Sequence, residues 1–519
     1  MNKTFCIAGP VVASKHYCLS LRLNSQELHR LIDEEKYFIL HAPRQTGKTT
    51  AILNFVQQLN SEGKYIALYI NIEPAQAARN DISAGLRSIF SECKGWIRQI
   101  LGSDSPLYPL ILEFSELQNP SGGALGDFLR QASEALSSPL ILFVDEIDSL
   151  VGDTLISVLR QLRSGYVARP RFFPQSVCLM GVRDVRDYRI WSPEQGVFVL
   201  GGSAFNIKAK SLTLANFSPA EVAALYQQHT DATGQAFTPE AIEYAFYLTQ
   251  GQPWLVNALA QEACFELVTD RSQSITKEVI DRAKEVLILR RDTHLDVLID
   301  RLSEERVRRI IQMIILGEGE GANVSTDDLS YVRDLGLVTQ KGMAIANPIY
   351  QEIIPRELSL VQQAKLEGLV DRRPFIRADG SLDMRLLLEK FGQFYREQSS
   401  AWIEVLEFKE IGPHILLLAF LQRIINGGGS IHREYALGRK RVDLLVVWKN
   451  QRIVIELKIR RGEKSVEEGL VQTAGYMGTS QATEGHLVVF DQSPEKSWDE
   501  KIFTRQEDVE GKTIAVWGL

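Results

Sequence analysis

Residues 37–50 read Tyr37-Phe38-Ile39-Leu40-His41-Ala42-Pro43-Arg44-Gln45-Thr46-Gly47-Lys48-Thr49-Thr50. The apolar run Tyr37 to Leu40 predicts a buried strand. An amphipathic segment begins at Thr50, so the intervening loop joins a strand to a helix. Such a loop turns backbone N–H groups inward and is followed by the positive end of a helix, and both favour phosphate. Ala42, Arg44, Gln45, Thr46, Gly47, Lys48, Thr49 and Thr50 are the candidate phosphate contacts. Lys48 is expected to reach the β- and γ-phosphates and Thr49 to ligate Mg²⁺. The pattern A-x-x-x-x-G-K-T departs from the usual motif at Ala42, where glycine is the norm. Alanine fits only if that residue keeps φ below zero. The bland alternative is a Gly-Lys-Thr turn before an ordinary helix.

A chain of 519 residues has room for about three or four compact domains. Its hydrophobic fraction of 45% and charged fraction of 24% describe an ordinary globular chain. A net charge of −7 gives no overall basic character, so nucleic-acid binding would have to come from local patches. Five cysteines without a CxxC pair predict buried thiols in a reducing, cytoplasmic setting and exclude a disulfide framework. The first residues lack a sustained apolar run, so no signal peptide is expected, and no apolar run is long enough to span a membrane.

A second strand is expected at Tyr65 to Ile70, then mostly helix from Glu73 to Ser138. Pro139 to Val144 is an apolar run ending in Asp145-Glu146. This predicts a buried central strand that delivers Asp145 to Mg²⁺ and Glu146 to the attacking water. Asp148 reads as structural. Ser176 to Gly181 is a further strand, and Arg183 at its tip is the candidate sensor of the γ-phosphate. From Phe217 the pattern turns helical, and Gly251-Gln252-Pro253 is a turn that starts a helix at Pro253.

Together these segments resemble the AAA+/STAND-like P-loop ATPases, in the branch that includes origin-recognition and archaeal-type members, over roughly residues 1–290. The resemblance implies ATP and Mg²⁺ as cofactors. It also implies that the lead-in around Gly9, Pro10 and Tyr17 lies over the adenine, with Pro253 packed near the base. No second sensor arginine or arginine finger stands out, which favours a switch or nucleotide-gated clamp over a ring motor. The implied organisation is a P-loop ATPase core (1–210) and a helical lid (211–292). A winged-helix-like module (293–357) and connecting helices (358–400) follow. The second helix of that module carries Asp327, Asp328 and Asp334, so it is expected to couple domains more than to read DNA.

The last block, 401–519, carries separate chemistry. Asp443 opens one strand, Lys449-Asn450-Gln451 marks a tight turn, and Glu456-x-Lys458 lies on the returning strand. Two carboxylates and a lysine on one face suit metal-dependent phosphodiester hydrolysis. This block resembles the PD-(D/E)xK nucleases, with Val442-Asp443 in place of Pro-Asp. The helical pair Gln472 and Tyr476 matches the RecB-type branch. The resemblance implies Asp443 and Glu456 as metal ligands for Mg²⁺ or Mn²⁺, with Glu410 as an added ligand and Glu434 as the other candidate for that place. It makes Lys458, Gln472 and Tyr476 catalytic. Arg433, Arg439, Lys440, Arg441, Lys458, Arg460 and Arg461 would give a positive face. A strand at Gly485 to Phe490 is expected to complete the core.

The expected fold is α/β throughout, and the expected function is an ATP-binding AAA-type ATPase coupled to a Mg²⁺-dependent DNA endo- or exonuclease. By resemblance such pairings suit defence against foreign DNA. DNA is the expected partner, with RNA and homo-oligomers left open. The alternative is a nucleotide switch whose C-terminal domain binds nucleic acid or protein without cleavage.

Overall fold

The computed structural model describes residues 3–19, 22–184, 188–192, 197–290, 293–316, 325–358, 375–405, 412–425, 429–434, 443–460, 463–491, 493 and 495–519. These residues fall into two compact units. The first comprises Met1–Leu295 with Thr326–Gln340, and the second Asp296–Ser325 with Lys341–Leu519.

The first unit is built on a five-stranded parallel sheet. Its strands are β1 (Tyr37–His41), β2 (Ile66–Asn71), β3 (Leu140–Asp145), β4 (Ser176–Gly181) and, after a small antiparallel hairpin β5 (Arg189–Ser192) and β6 (Val197–Leu200), β7 (Lys208–Thr213). The order β2-β3-β4-β1-β7 puts β1 inside the sheet, between β4 and β7. A strand covered on both faces needs an unbroken apolar run, and Tyr37 to Leu40 supply one, each fully buried. Alternation then sorts the side chains. Phe38, Leu40, Tyr69, Ile141, Phe143, Cys178 and Met180 face one cluster, with Ile52, Phe55 and Leu59. Tyr37, Ile39, Ile70, Leu142, Val144 and Leu179 face the other.

Helices cover both faces. The unit contains α1 (Ser25–Asp33), α2 (Lys48–Glu62), α3 (Ile82–Ile100), α4 (Leu107–Ser115), α5 (Ala124–Ala135), α6 (Gly152–Gly165) and a one-turn α7 (Gly201–Ala204). Asn24 caps α1, its side chain accepting from the Glu27 N–H. The lid consists of α8 (Pro219–Thr233), α9 (Pro239–Thr249), α10 (Pro253–Gln261) and α11 (Lys277–Arg290). Ser218 and Glu221 close a capping box on α8, and Pro253 occupies the first turn of α10.

Helix α12 (Thr293–Leu302) carries the chain out of this unit, and α13 (Glu305–Leu316) belongs to the second. The chain breaks between these two helices around Ser303 and Glu304. Helix α14 (Thr326–Asp334) groups with the first unit. Between residues 335 and 347, where a β-wing is expected, the chain forms only single bridge residues.

The second unit continues with α15 (Pro348–Leu358), α16 (Met384–Val405), α17 (Gly412–Ile425), β8 (Gly429–Glu434), β9 (Asp443–Trp448), β10 (Gln451–Ile459), α18 (Glu463–Ser480), β11 (Glu484–Phe490), a short α19 (Trp498–Lys501), β12 (Phe503–Val509) and β13 (Lys512–Gly518). Most of 358–400 before α16 lies outside the described residues. Its six-stranded mixed sheet runs β12-β13-β11-β10-β9-β8. The core expected to end at Phe490 thus extends by two strands. β13 pairs parallel to β11, and β12 returns antiparallel beside it. The five cysteines are free thiols, and no helix among the described residues is long and apolar enough to cross a membrane.

The lid turn is held by a contact that leaves no room for a side chain. Gly251 has φ of +70°, and a Cβ there would stand 1.9 Å from the Phe217 carbonyl oxygen. Gly251→Ala combines left-handed strain with that overlap and is expected to cost about 2–4 kcal/mol. A thermal melt of the full chain measures it; an unchanged midpoint would show that the turn yields freely.

Candidate functional site

In the first unit the phosphate loop spans the gap between β1 and α2, as the sequence predicts. Ala42 is buried and keeps a negative φ, so its departure from glycine is accommodated. The left-handed positions are Gln45 and Gly47 instead. The Thr46 hydroxyl donates to the Pro43 carbonyl at 2.8 Å, which tightens the loop. Lys48 is buried and donates to the Ala42 and Pro43 carbonyls at 2.7 and 3.1 Å. Burial pulls its pKa below the usual lysine value. Arg44 and Gln45 are exposed at the rim, and the Thr50 hydroxyl accepts from the Val11 N–H at 3.1 Å.

The acids of β3 meet this loop. The Thr49 hydroxyl donates to Asp145 Oδ2 at 2.8 Å. Two donors missed by the sequence reading complete the carboxylate. The Tyr69 hydroxyl donates to Oδ2 at 2.8 Å, and the Glu146 N–H to Oδ1 at 2.9 Å. Thr49 and Asp145 thus hold each other across the position where a Mg²⁺ would take oxygen ligands from both, so this donor set fits the ion. Glu146 stands in a left-handed backbone conformation (φ +57°). Its burial, with Asp148 and Asp145 nearby, raises its carboxyl to about 7. Asp148 accepts from the Val182 N–H at 3.2 Å, in keeping with its expected structural role.

The loop residues Arg44 to Thr50, together with Glu146, line a cavity of about 450 Å³. Its far side brings together Gly9, Pro10 and Tyr17 of the lead-in with Pro253, Trp254 and Phe217 of the lid. The Trp254 indole N–H donates to the Ile7 carbonyl at 2.8 Å, fastening lid to lead-in. Arg22 also lines the cavity. It was missed because nothing in its local sequence marks it.

Arg183 is placed at the tip of β4 but engages protein acids. Its Nε lies 3.4 Å from Asp334 Oδ2 and its Nη2 3.8 Å from Asp327 Oδ1, with the guanidinium 4.8 Å from the Tyr331 ring centre. All three partners are on α14. Beside them, the backbone at Gly336 approaches Pro43 so closely that a Cβ would meet the proline ring at 2.8 Å.

In the second unit the two-residue turn at Lys449-Asn450 sets the register of β9 and β10, and this register pairs Glu456 with Asp443. On its other side Asp443 pairs with Glu434 of β8. Glu456 is fully buried, and neither carboxylate oxygen accepts a well-aligned hydrogen bond. Lys458 Nζ lies 2.7 Å from its Oε1 as an ion pair. A buried carboxylate with open lone pairs is costly unless a cation satisfies it, which fits a divalent ion. Gln472 and Tyr476 lie on α18, and the Gln472 side-chain oxygen is buried without a partner among the described residues. Gly469 on the same helix lets it approach β10, since a Cβ there would meet Lys458 Cγ at 3.2 Å. Arg460 lies 3.6 Å from Asp491 and so is partly neutralised. Glu410, Arg439, Lys440, Arg441 and Arg461 lie outside the described residues. Among the described residues, no group of three or more His, Cys, Asp or Glu side chains is placed to hold a metal.

No protein-family model and no curated protein matches the chain. Among solved structures it is similar to a Walker-type ATPase of Pyrococcus abyssi, at 16% identity over 67% of this chain and 99% of that one, with a TM-score of 0.48. It is similar to the Orc1 protein of Aeropyrum pernix, solved in complex with DNA, at 15% identity over 65% and 82%, with a TM-score of 0.35. For the RuvB Holliday junction branch migration motor of Thermotoga maritima the values are 15% identity, 64% and 92%, and a TM-score of 0.33.

The raised Glu146 carboxyl predicts a pH signature. A carboxyl whose folded pKa exceeds its unfolded value of 4.5 binds its proton more tightly in the native chain. It therefore costs stability as pH rises from about 4.5 to about 7. Thermal melts of the metal- and nucleotide-free chain at pH 5 and pH 8 are expected to show a smaller loss for Glu146→Gln than for wild type. Equal losses would mean that Glu146 is not held protonated.

Proposed function

We propose that the chain is an ATP-hydrolysing P-loop ATPase of AAA+/STAND-like type that controls a metal-dependent nuclease acting on DNA. The observation that carries the ATPase reading is the convergence of Lys48, Thr49 and Glu146 on one cavity, with Asp145 bonded to Thr49 directly behind it. Lys48 exchanges its two loop carbonyls for phosphate oxygens, and the phosphate-loop N–H groups hold the rest of the anion. Thr49 and Asp145 would hold Mg²⁺, which neutralises charge building on the transferred phosphoryl group. Glu146, with its carboxyl raised to about 7, is suited to accept a proton from the attacking water near neutral pH. The base lies between the lead-in and Pro253.

The nuclease reading rests on Glu456, a fully buried carboxylate beside Lys458 and in register with Asp443. Asp443 and Glu456 would hold Mg²⁺ or Mn²⁺, which polarises the scissile phosphate and acidifies water. Lys458 positions that water or stabilises developing charge, and Gln472 and Tyr476 steady the site. Glu410 remains a proposed further ligand. Defence against foreign DNA is the biological setting we favour for such a pairing.

Cleavage of linear, circular and single-stranded DNA by the full chain, with and without ATP and Mg²⁺, tests both halves. Lys48→Ala is expected to abolish ATP hydrolysis. Glu456→Gln and Lys458→Ala are each expected to lower cleavage at least about a hundredfold while leaving ATP hydrolysis intact. Wild-type binding of DNA without any strand scission would instead favour a C-terminal unit that only binds.

A further inference from the structure

The lead-in to α1 places a cation in the nucleotide cavity that the sequence motifs do not account for. Arg22 is half-buried and lines the cavity beside Thr46 and Gly47. Its guanidinium donates to the Thr46 carbonyl of the phosphate loop and to the Ala215 carbonyl at the root of the lid. It stacks 4.4 Å from the Phe217 ring centre, and a Cβ at Gly47 would lie 3.3 Å from its Nη1. Among the described residues its Nε has no partner. No carboxylate contacts it among the described residues, although Glu221 attracts it at longer range. Desolvation dominates and lowers its pKa to about 10. Two carbonyls and a ring are poor compensation for a partly desolvated guanidinium, whose planar fork matches phosphate oxygens.

We propose that Arg22 is a phosphate-binding residue of the nucleotide site, and that a nucleotide phosphate replaces the Thr46 and Ala215 carbonyls as its acceptor. This rests on the reading of the first unit as a nucleotide-binding core and adds a second cation, from outside the phosphate loop, to Lys48. Because one guanidinium holds both loop and lid, its transfer to phosphate releases the root of the lid from Thr46. Lid posture thereby becomes sensitive to whether phosphate is present, separately from the base contact at Pro253 and Trp254.

The test compares ADP with adenosine by calorimetry on the full-length chain, in wild type, Arg22→Gln and Arg22→Lys. Arg22→Gln is expected to weaken ADP binding about tenfold or more while changing adenosine binding less than about twofold. Arg22→Lys, which keeps the charge, is expected to recover part of the loss. A merely structural clamp would weaken both ligands together, so an unchanged ADP-to-adenosine ratio in Arg22→Gln overturns the proposal. Lack of ADP binding by wild type would instead overturn the nucleotide reading on which it rests. Circular dichroism of Arg22→Gln without ligand confirms that the variant is folded.

Discussion

Asp145 carries the first unit's central constraint. Its carboxylate ends a fully buried strand and has no access to water, so it needs polar partners from the protein. Those partners come from three strand ends: Thr49 beyond β1, Tyr69 on β2, and the Glu146 N–H after β3 itself. The carboxylate therefore pins the phosphate loop, the neighbouring strand and the left-handed turn at Glu146 to one point. Each of these depends on strand order, because only with β3 next to β2 and one strand from β1 do the three donors converge. Sheet topology and site chemistry are here the same requirement.

The second unit shows the complementary arrangement. Glu456 is buried as deeply as Asp145, yet among the described residues no well-aligned hydrogen-bond donor meets it and Lys458 is the cation beside it. The tight turn fixes the hairpin register, and a slip of one residue would carry Glu456 and Lys458 to the opposite face of the sheet. One buried carboxylate is thus closed by the fold and the other left open.

The sequence made these acids legible because their meaning is local. An apolar run ending in Asp-Glu, a Gly-Lys-Thr loop, and a two-residue turn between apolar strands each declare themselves within about a dozen residues. Arg22, Tyr69 and the acids facing Arg183 were not legible, because their roles arise from residues that meet only after folding. Thr46 stands 24 positions beyond Arg22, and Asp145 stands 76 beyond Tyr69. Helix α14 was read as acidic and therefore as a coupler, but its partner could not be named from the chain. Strand β12 escaped for a different reason. Its Thr504-Arg505-Gln506-Glu507-Asp508 is polar at nearly every position, as an exposed edge strand can be, and such a run carries no alternating apolar signal.

The chain leaves the first unit after Leu295, returns for Thr326–Gln340, and leaves again. The carboxylates beside Arg183 are supplied on that return visit. Covalent order and packing order are consequently different maps, and no single cut divides the protein along its seams. A fragment ending at Leu295 strips Arg183 of Asp327 and Asp334. One ending at Gln340 keeps them but also carries α13, whose buried Val307, Ile310 and Ile311 then lose the unit they pack within. Either fragment exposes a surface that the intact chain covers, and dissection of this protein requires an internal splice in place of a truncation.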